Sequence, residues 1–357
     1  MSLIAQKPII PWKRFWCRFG ETIHLGDDGR GFLTDPEGDL TKLCNPNLMT
    51  LDQLLNRSCL ILCGDPGSGK TTVLGQGKNA LKNSLGEGGD IILLEFRDVP
   101  NESVFAKRTF DSPAWQRWRS SAGKLVLIVD GVDEGLVRVP GFISYLAAQL
   151  RQEEIGRLQI VLVCRSAEWP VSEGQRLISL WGESQNSLVL ELCPLRQCDA
   201  ELAAEKWGLD KRAFIQAVYR QKVVGLAALP ATLFFLLAEF RESGGFVRTH
   251  RELYERGCMR LSRELDPRRT ETLRALRKSA RVSTPEEVYE AASRLAVLFL
   301  LCGKSAIYSG PLDEIDARSD LHISGAADAD LTEDLILDTI ESGLFTSRGS
   351  NRSVSCF

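Results

Sequence analysis

Five short runs of consecutive apolar residues punctuate the first half of the chain: Ser58–Cys63 (SCLILC), 91–96, 124–129, Leu158–Cys164 (LQIVLVC) and 187–192. They are continuous rather than alternating, the pattern of strands buried on both faces of a parallel sheet. Helical spacing fills the intervals, as in Thr71–Leu85 after the first run. Strand alternating with helix predicts an α/β fold whose parallel sheet is wound on both faces. Within it, Trp115 and Trp118 at i, i+3 predict a hydrophobic stripe on a helix. Beyond Leu195 the pattern turns helical, with candidates at 199–207, 211–221, 231–242, 248–264 and 271–281. Thr284-Pro285-Glu286-Glu287 opens another, with a capping box and proline at the first helical position. Its apolar positions Val288, Ala291, Ala292, Leu295 and Leu298 keep a core-facing spacing. The last fifty residues alternate acidic turns with the apolar stretch 335–344, and local disorder is expected there.

The first apolar run leads directly into Gly64-Asp65-Pro66-Gly67-Ser68-Gly69-Lys70-Thr71. This matches G-x-x-x-x-G-K-[ST], in which glycine-rich backbone curls its N–H groups around phosphate while lysine and hydroxyl complete the cradle. Strand, glycine loop and helix occur in the required order. Gly64 to Gly69 and Lys70 are expected to hold the β and γ phosphates, with Thr72 beside them and Thr71 on magnesium. The third run continues as Asp130-Gly131-Val132-Asp133-Glu134. Asp130 falls at the carboxyl end of a strand, where open α/β sheets bind ligands, and is assigned with Thr71 to Mg2+. Asp133 or Glu134 is placed to orient or deprotonate water. Arg165 ends the fourth run and is assigned to sensing the γ-phosphate through its bidentate fork. The competing readings are a glycine turn that binds nothing, a solvated acidic turn, and an Arg165 paired with a local carboxylate such as Glu168.

These motifs resemble the NACHT group of STAND-class signal-transduction ATPases, which includes animal NOD-like receptors and bacterial defence proteins. The resemblance rests on GDPGSGKTT at Gly64–Thr72, the D-G-h-D-E continuation at Asp130–Glu134 and the strand ending in Arg165. It extends through Cys193-Pro194-Leu195, ALPATLFFLLAEF around Pro230 and THRELYERG at 249–257. It implies a P-loop NTPase sheet followed by a helical subdomain and a partial winged-helix domain. The segments are then an arm at 1–48, the nucleotide domain at 49–195, helices at 196–282 and the winged-helix-like region at 283–357. It also implies ATP/ADP and Mg2+ as ligands, Pro230 near the base, slow hydrolysis, nucleotide-dependent self-assembly and an unidentified downstream protein in antiviral defence. ATP is expected over GTP, since no N-K-x-D base-reading motif occurs. The histidine that contacts the β-phosphate in that family has no counterpart: the histidines are His24, His250 and His322. A C-terminally truncated chain is the expectation that follows. Two other readings stay open, a conventional P-loop ATPase (an AAA+-like motor or kinase) and an idle nucleotide-binding remnant.

Composition changes this picture little. The chain is 44% hydrophobic and 25% charged with a net charge of −3, enough apolar residue for real cores and no whole-chain attraction to nucleic acid or membrane. Nucleic acid is therefore not an expected partner. Ten cysteines and three histidines complete no zinc pattern, so reduced thiols in a cytoplasmic protein are expected. The start MSLIAQKPIIPWKRFW has no signal-peptide core. Its aromatics and cations (Trp12, Lys13, Arg14, Phe15, Trp16, Arg18) predict a packed arm with solvated cations, and Gly26–Gly31 predicts a turn between two short strands.

Overall fold

The structure, a computed structural model, describes residues 10–26, 31–39, 41–65, 67–85, 88–139, 141–182, 186–246, 249–263, 283–304, 306–310, 312, 315, 318, 320–340, 342, 344–347 and 352–355. The chain divides into two units, each discontinuous in sequence. One comprises Met1–Gln53, Gly67–Gly69 and Glu191–Gly257; the other comprises Leu54–Pro66, Lys70–Leu190 and Cys258–Phe357.

In the first unit, β1 (Phe15–Arg18) pairs antiparallel with β2 (Met49–Thr50), setting Phe15 opposite Thr50 and Trp16 opposite Met49. Leu25 and Leu33 form an antiparallel bridge on either side of the expected turn, of which 27–30 lie outside the described residues. The helical pattern becomes the helices Gln197–Lys206, Lys211–Arg220, Val224–Ala227, Pro230–Ser243 and, as far as Gly257, His250–Arg263. Their apolar faces meet in a core built on Phe214, Leu233, Leu236, Leu237 and Leu253. The stretch 271–281 lies outside the described residues. One expectation for the arm is overturned: Arg14 is buried rather than solvated. The reason is that its guanidinium donates to two carbonyls far along the chain, Ser68 O and Cys193 O.

The second unit is built around β3 (Cys59–Gly64), β4 (Asp90–Glu95), β5 (Leu125–Asp130), β6 (Leu158–Arg165) and, as far as Leu190, β7 (Ser187–Leu192), in the order β7-β3-β6-β5-β4. The β3–β6, β6–β5 and β5–β4 pairs are parallel. Leu125 to Val129 are all fully buried. Successive strand residues point to opposite faces, so both faces of the sheet are covered, as expected for an α/β fold. Trp115 and Trp118 lie buried on the helix Pro113–Ser120, 5.0 Å apart and edge to face. Toward the C-terminus the helix Pro285–Cys302 starts at the expected capping box between Thr284 and Glu287. The expectation of disorder in the last fifty residues is corrected over those that are described. They form β8 (Ala306–Tyr308), β9 (Asp320–His322), β10 (Phe345–Ser347) and β11 (Arg352–Ser355), a sheet ordered β10-β11-β8-β9. Val288, Ala291, Leu295, Ile307 and Ile336 hold this module together; the apolar contacts of short strands supply the order that acidic turns alone do not.

Candidate functional site

Parallel pairing brings three strand ends together. Gly64 is in register with Arg165, and Asp130 is in register with Val163. The ends of β3, β6 and β5 therefore deliver the loop, a cation and a carboxylate to the same edge of one sheet, the edge at which α/β sheets bind ligands.

Gly64 is the last, buried residue of β3, and Asp65 is exposed. Pro66 lies outside the described residues. Gly67 and Gly69 adopt positive φ values of 72° and 93°, a backbone region open to glycine and strained for other residues. Ser68, between them, is 2% exposed, and its Oγ has no hydrogen-bond partner among the described residues. Lys70 opens the helix Lys70–Ser84, with Thr71 and Thr72 exposed in its first turn. Its ammonium donates to Gly64 O, and to Asp65 O at 3.0 Å, so the side chain folds back along the loop. Burial pushes the Lys70 pKa down, with Asp133 opposing that shift and Arg165 adding to it.

The acidic motif has a local reason for its glycine. Gly131 sits in the left-handed region (φ 77°, ψ 39°) and turns the chain from β5 directly into the helix Val132–Arg138. Gly135 lies against Phe96 so closely that an added Cβ would meet the ring at 2.5 Å. Asp130, just before the turn, accepts a hydrogen bond from the Thr71 side chain. Burial raises its pKa, the Thr71 bond pulls the other way, and neighbouring Asp133 adds to the rise. Asp133, just after the turn, is 8% exposed and binds Arg165, Nε to Oδ2 at 3.0 Å. The predicted sensor cation and one predicted water-orienting carboxylate are therefore each other's partners. Glu134 follows on the same helix, and its side chain lies outside the described residues.

The loop apex Gly67–Gly69 clusters with the first unit. There Ala231 N–H donates to Gly67 O at 3.3 Å, and a Cβ on Gly69 would stand 3.6 Å from Pro230 Cγ. Pro230 thus lies beside the loop backbone, at the first position of the helix Pro230–Ser243. Arg14 is the site residue that sequence reasoning missed. It donates to Ser68 O at 2.7 Å, and no local pattern marks it because its two acceptor residues are 54 and 179 positions away.

No family model and no curated protein matches the chain. Among solved structures it is similar to the Walker-type ATPase PABY2304 of Pyrococcus abyssi, at 15% identity and a TM-score of 0.41 over 94% of this chain and 96% of that one. It is similar to the Aeropyrum pernix ORC1 protein in complex with DNA, at 17% identity and TM-score 0.40 over 70% of each chain. A point variant of Thermotoga maritima RuvB matches at 12% identity and TM-score 0.40 over 84% of each. Likenesses of this degree decide nothing about activity.

The residues fit a phosphate ligand on their own terms. The two left-handed glycines let consecutive N–H groups converge, as a side chain at either position would not. A hydroxyl already hydrogen-bonded to a carboxylate, Thr71 with Asp130, suits magnesium, which takes one or two protein oxygens and completes its shell with phosphate and water. Among the described residues no group of three or more His, Cys, Asp or Glu side chains forms a cage for a metal ion. None of their helices is long and apolar enough to cross a membrane.

Proposed function

We propose that the chain binds ATP and ADP with Mg2+ on the loop Gly64–Thr71 and acts as a nucleotide-controlled switch that hydrolyses ATP slowly. The observation carrying this reading is the meeting of Thr71 with Asp130 beside a lysine-tipped glycine loop at the end of β3. The resemblance to STAND ATPases supports the switch rather than a motor. The backbone from Gly64 to Gly69 and the Lys70 ammonium bind phosphate oxygens, with Thr72 adjoining them and Pro230 flanking the loop. Lys70 gives up its carbonyl contacts to do so, an exchange favoured because charge-assisted bonds to phosphate are stronger than bonds to neutral carbonyls. Mg2+, held by Thr71 and Asp130, supplies neutralisation of phosphate charge. Asp133 fixes the Arg165 fork, and Arg165 reads the terminal phosphate. With Asp133 engaged in that ion pair, Glu134 takes the water-positioning role. ATP over GTP, nucleotide-dependent self-assembly and a downstream protein partner belong to the same proposal, as does the division into arm, nucleotide, helical and winged-helix-like segments.

The test is calorimetric titration of the chain with Mg2+–ADP against its Lys70→Ala variant. Removing a charge-assisted contact of about 1.5–3 kcal/mol lowers affinity by roughly ten- to a hundredfold. Equal affinity in the two proteins would remove the premise.

A further inference from the structure

In a trans peptide the carbonyl and the following N–H point in opposite directions, and no peptide bond among the described residues is cis. Whatever holds the Ser68 carbonyl therefore aims the Gly69 N–H away from itself. The same holds for the Gly67 carbonyl and the Ser68 N–H. Both carbonyls are held from outside the loop. Arg14 Nη1 donates to Ser68 O at 2.7 Å, and Ala231 N–H, in the first turn of its helix, donates to Gly67 O at 3.3 Å. The Arg14 fork is fixed at its far side as well, since Nη2 donates to Cys193 O at 2.7 Å. The approach is close: a Cβ on Gly69 would stand 3.3 Å from Arg14 Nη1, and one on Gly67 would stand 2.7 Å from Ala231 Cβ.

This arrangement costs stability. Arg14 is 6% exposed, its Nε has no partner among the described residues, and burial pulls its pKa down to about 10 despite the field of Asp199. A buried cation kept only for packing is ordinarily matched by a carboxylate in contact, whereas both of Arg14's hydrogen bonds go to backbone carbonyls.

We infer that Arg14 is a positioning residue of the phosphate loop, turning the Ser68–Gly69 peptide so that its N–H faces a bound phosphate. The inference rests on the nucleotide reading above. Arginine is required because one planar fork must span two carbonyls, a geometry that a lysine ammonium does not reproduce.

The experiment titrates the full chain, Arg14→Gln and Arg14→Lys with Mg2+–ADP and with pyrophosphate, and follows thermal unfolding of each without ligand. Arg14→Gln should bind both ligands about ten- to a hundredfold more weakly, the range for one lost charge-assisted contact. Arg14→Lys should recover part of the loss, and the losses should persist well below each variant's unfolding midpoint. Unchanged affinity in both variants overturns the inference. So does a loss that appears only near the unfolding midpoint, which marks a packing role. A wild-type chain that binds neither ligand instead overturns the nucleotide reading beneath it. If the variants do not fold, hydrogen exchange of the wild-type chain decides: Ser68 and Gly69 amides should gain protection with pyrophosphate, and no gain overturns the inference.

Discussion

Asp130 shows how one residue carries two opposed demands. It is held where burial disfavours its charge, yet the metal-binding role proposed for it needs that charge. Its folded-state pKa is raised, so the folded chain takes up a proton more readily than the unfolded one. Without ligand, Asp130 then disfavours folding above its raised pKa, and that penalty is relieved as pH falls through it. Asp130→Asn should therefore raise the unfolding temperature of the ligand-free chain at pH 7 while removing the advantage that Mg2+ gives to nucleotide binding. In the wild-type chain that advantage should fade on acidification at a pH above the ordinary aspartate range. A variant less stable than wild type, or one whose binding still gains from Mg2+, would contradict this. Legibility at this scale follows sequence distance. Lys70, Thr71 and Asp130 can be singled out as candidates from the sequence because each sits in a short motif. Arg14 could not, since its acceptors belong to segments brought near only by folding. The Arg165–Asp133 pair is likewise invisible to local reading, because Asp133 reaches Arg165 from the turn after a different strand.

Among the elements, buried strands were the most legible. Cys59–Gly64 and Leu125–Asp130 are nearly unbroken apolar runs, and burial on both faces of a parallel sheet leaves few other sequences suitable. Short strands such as Ala306–Tyr308 and Phe345–Ser347 were not visible, because three residues make no period and their order comes from neighbours. The helix Val132–Arg138 matters most for chemistry. Gly131 starts it without a linker, so Asp133 and Glu134 follow Asp130 at fixed spacing. With Asp133 paired to Arg165, Glu134→Gln should leave Mg2+–ADP affinity within about twofold of wild type, a change of under about 0.5 kcal/mol. It should slow ATP hydrolysis by roughly 10²- to 10⁴-fold, the usual range for a lost general base. Turnover equal to wild type would show that the carboxylate was wrongly chosen.

At the scale of the whole molecule the chain returns on itself. Its first fifty residues cluster with Glu191–Gly257, and the loop apex Gly67–Gly69 clusters with them rather than with the strand that precedes it. Periodicity along the sequence records local order and carries no information on which distant segments share a core. A switch needs differential affinity: to move its population from one state to the other, ATP must favour the second state by several kcal/mol, about 5.5 for a shift from 1:99 to 99:1. The most direct test is calorimetric titration of the purified chain with Mg2+–ADP and with a non-hydrolysable ATP analogue while light scattering reports its mass. Saturable binding of both, with a rise in mass only under the ATP analogue, is the predicted result. Absence of binding to either nucleotide would contradict the account, and binding of both at unchanged mass would contradict the switch.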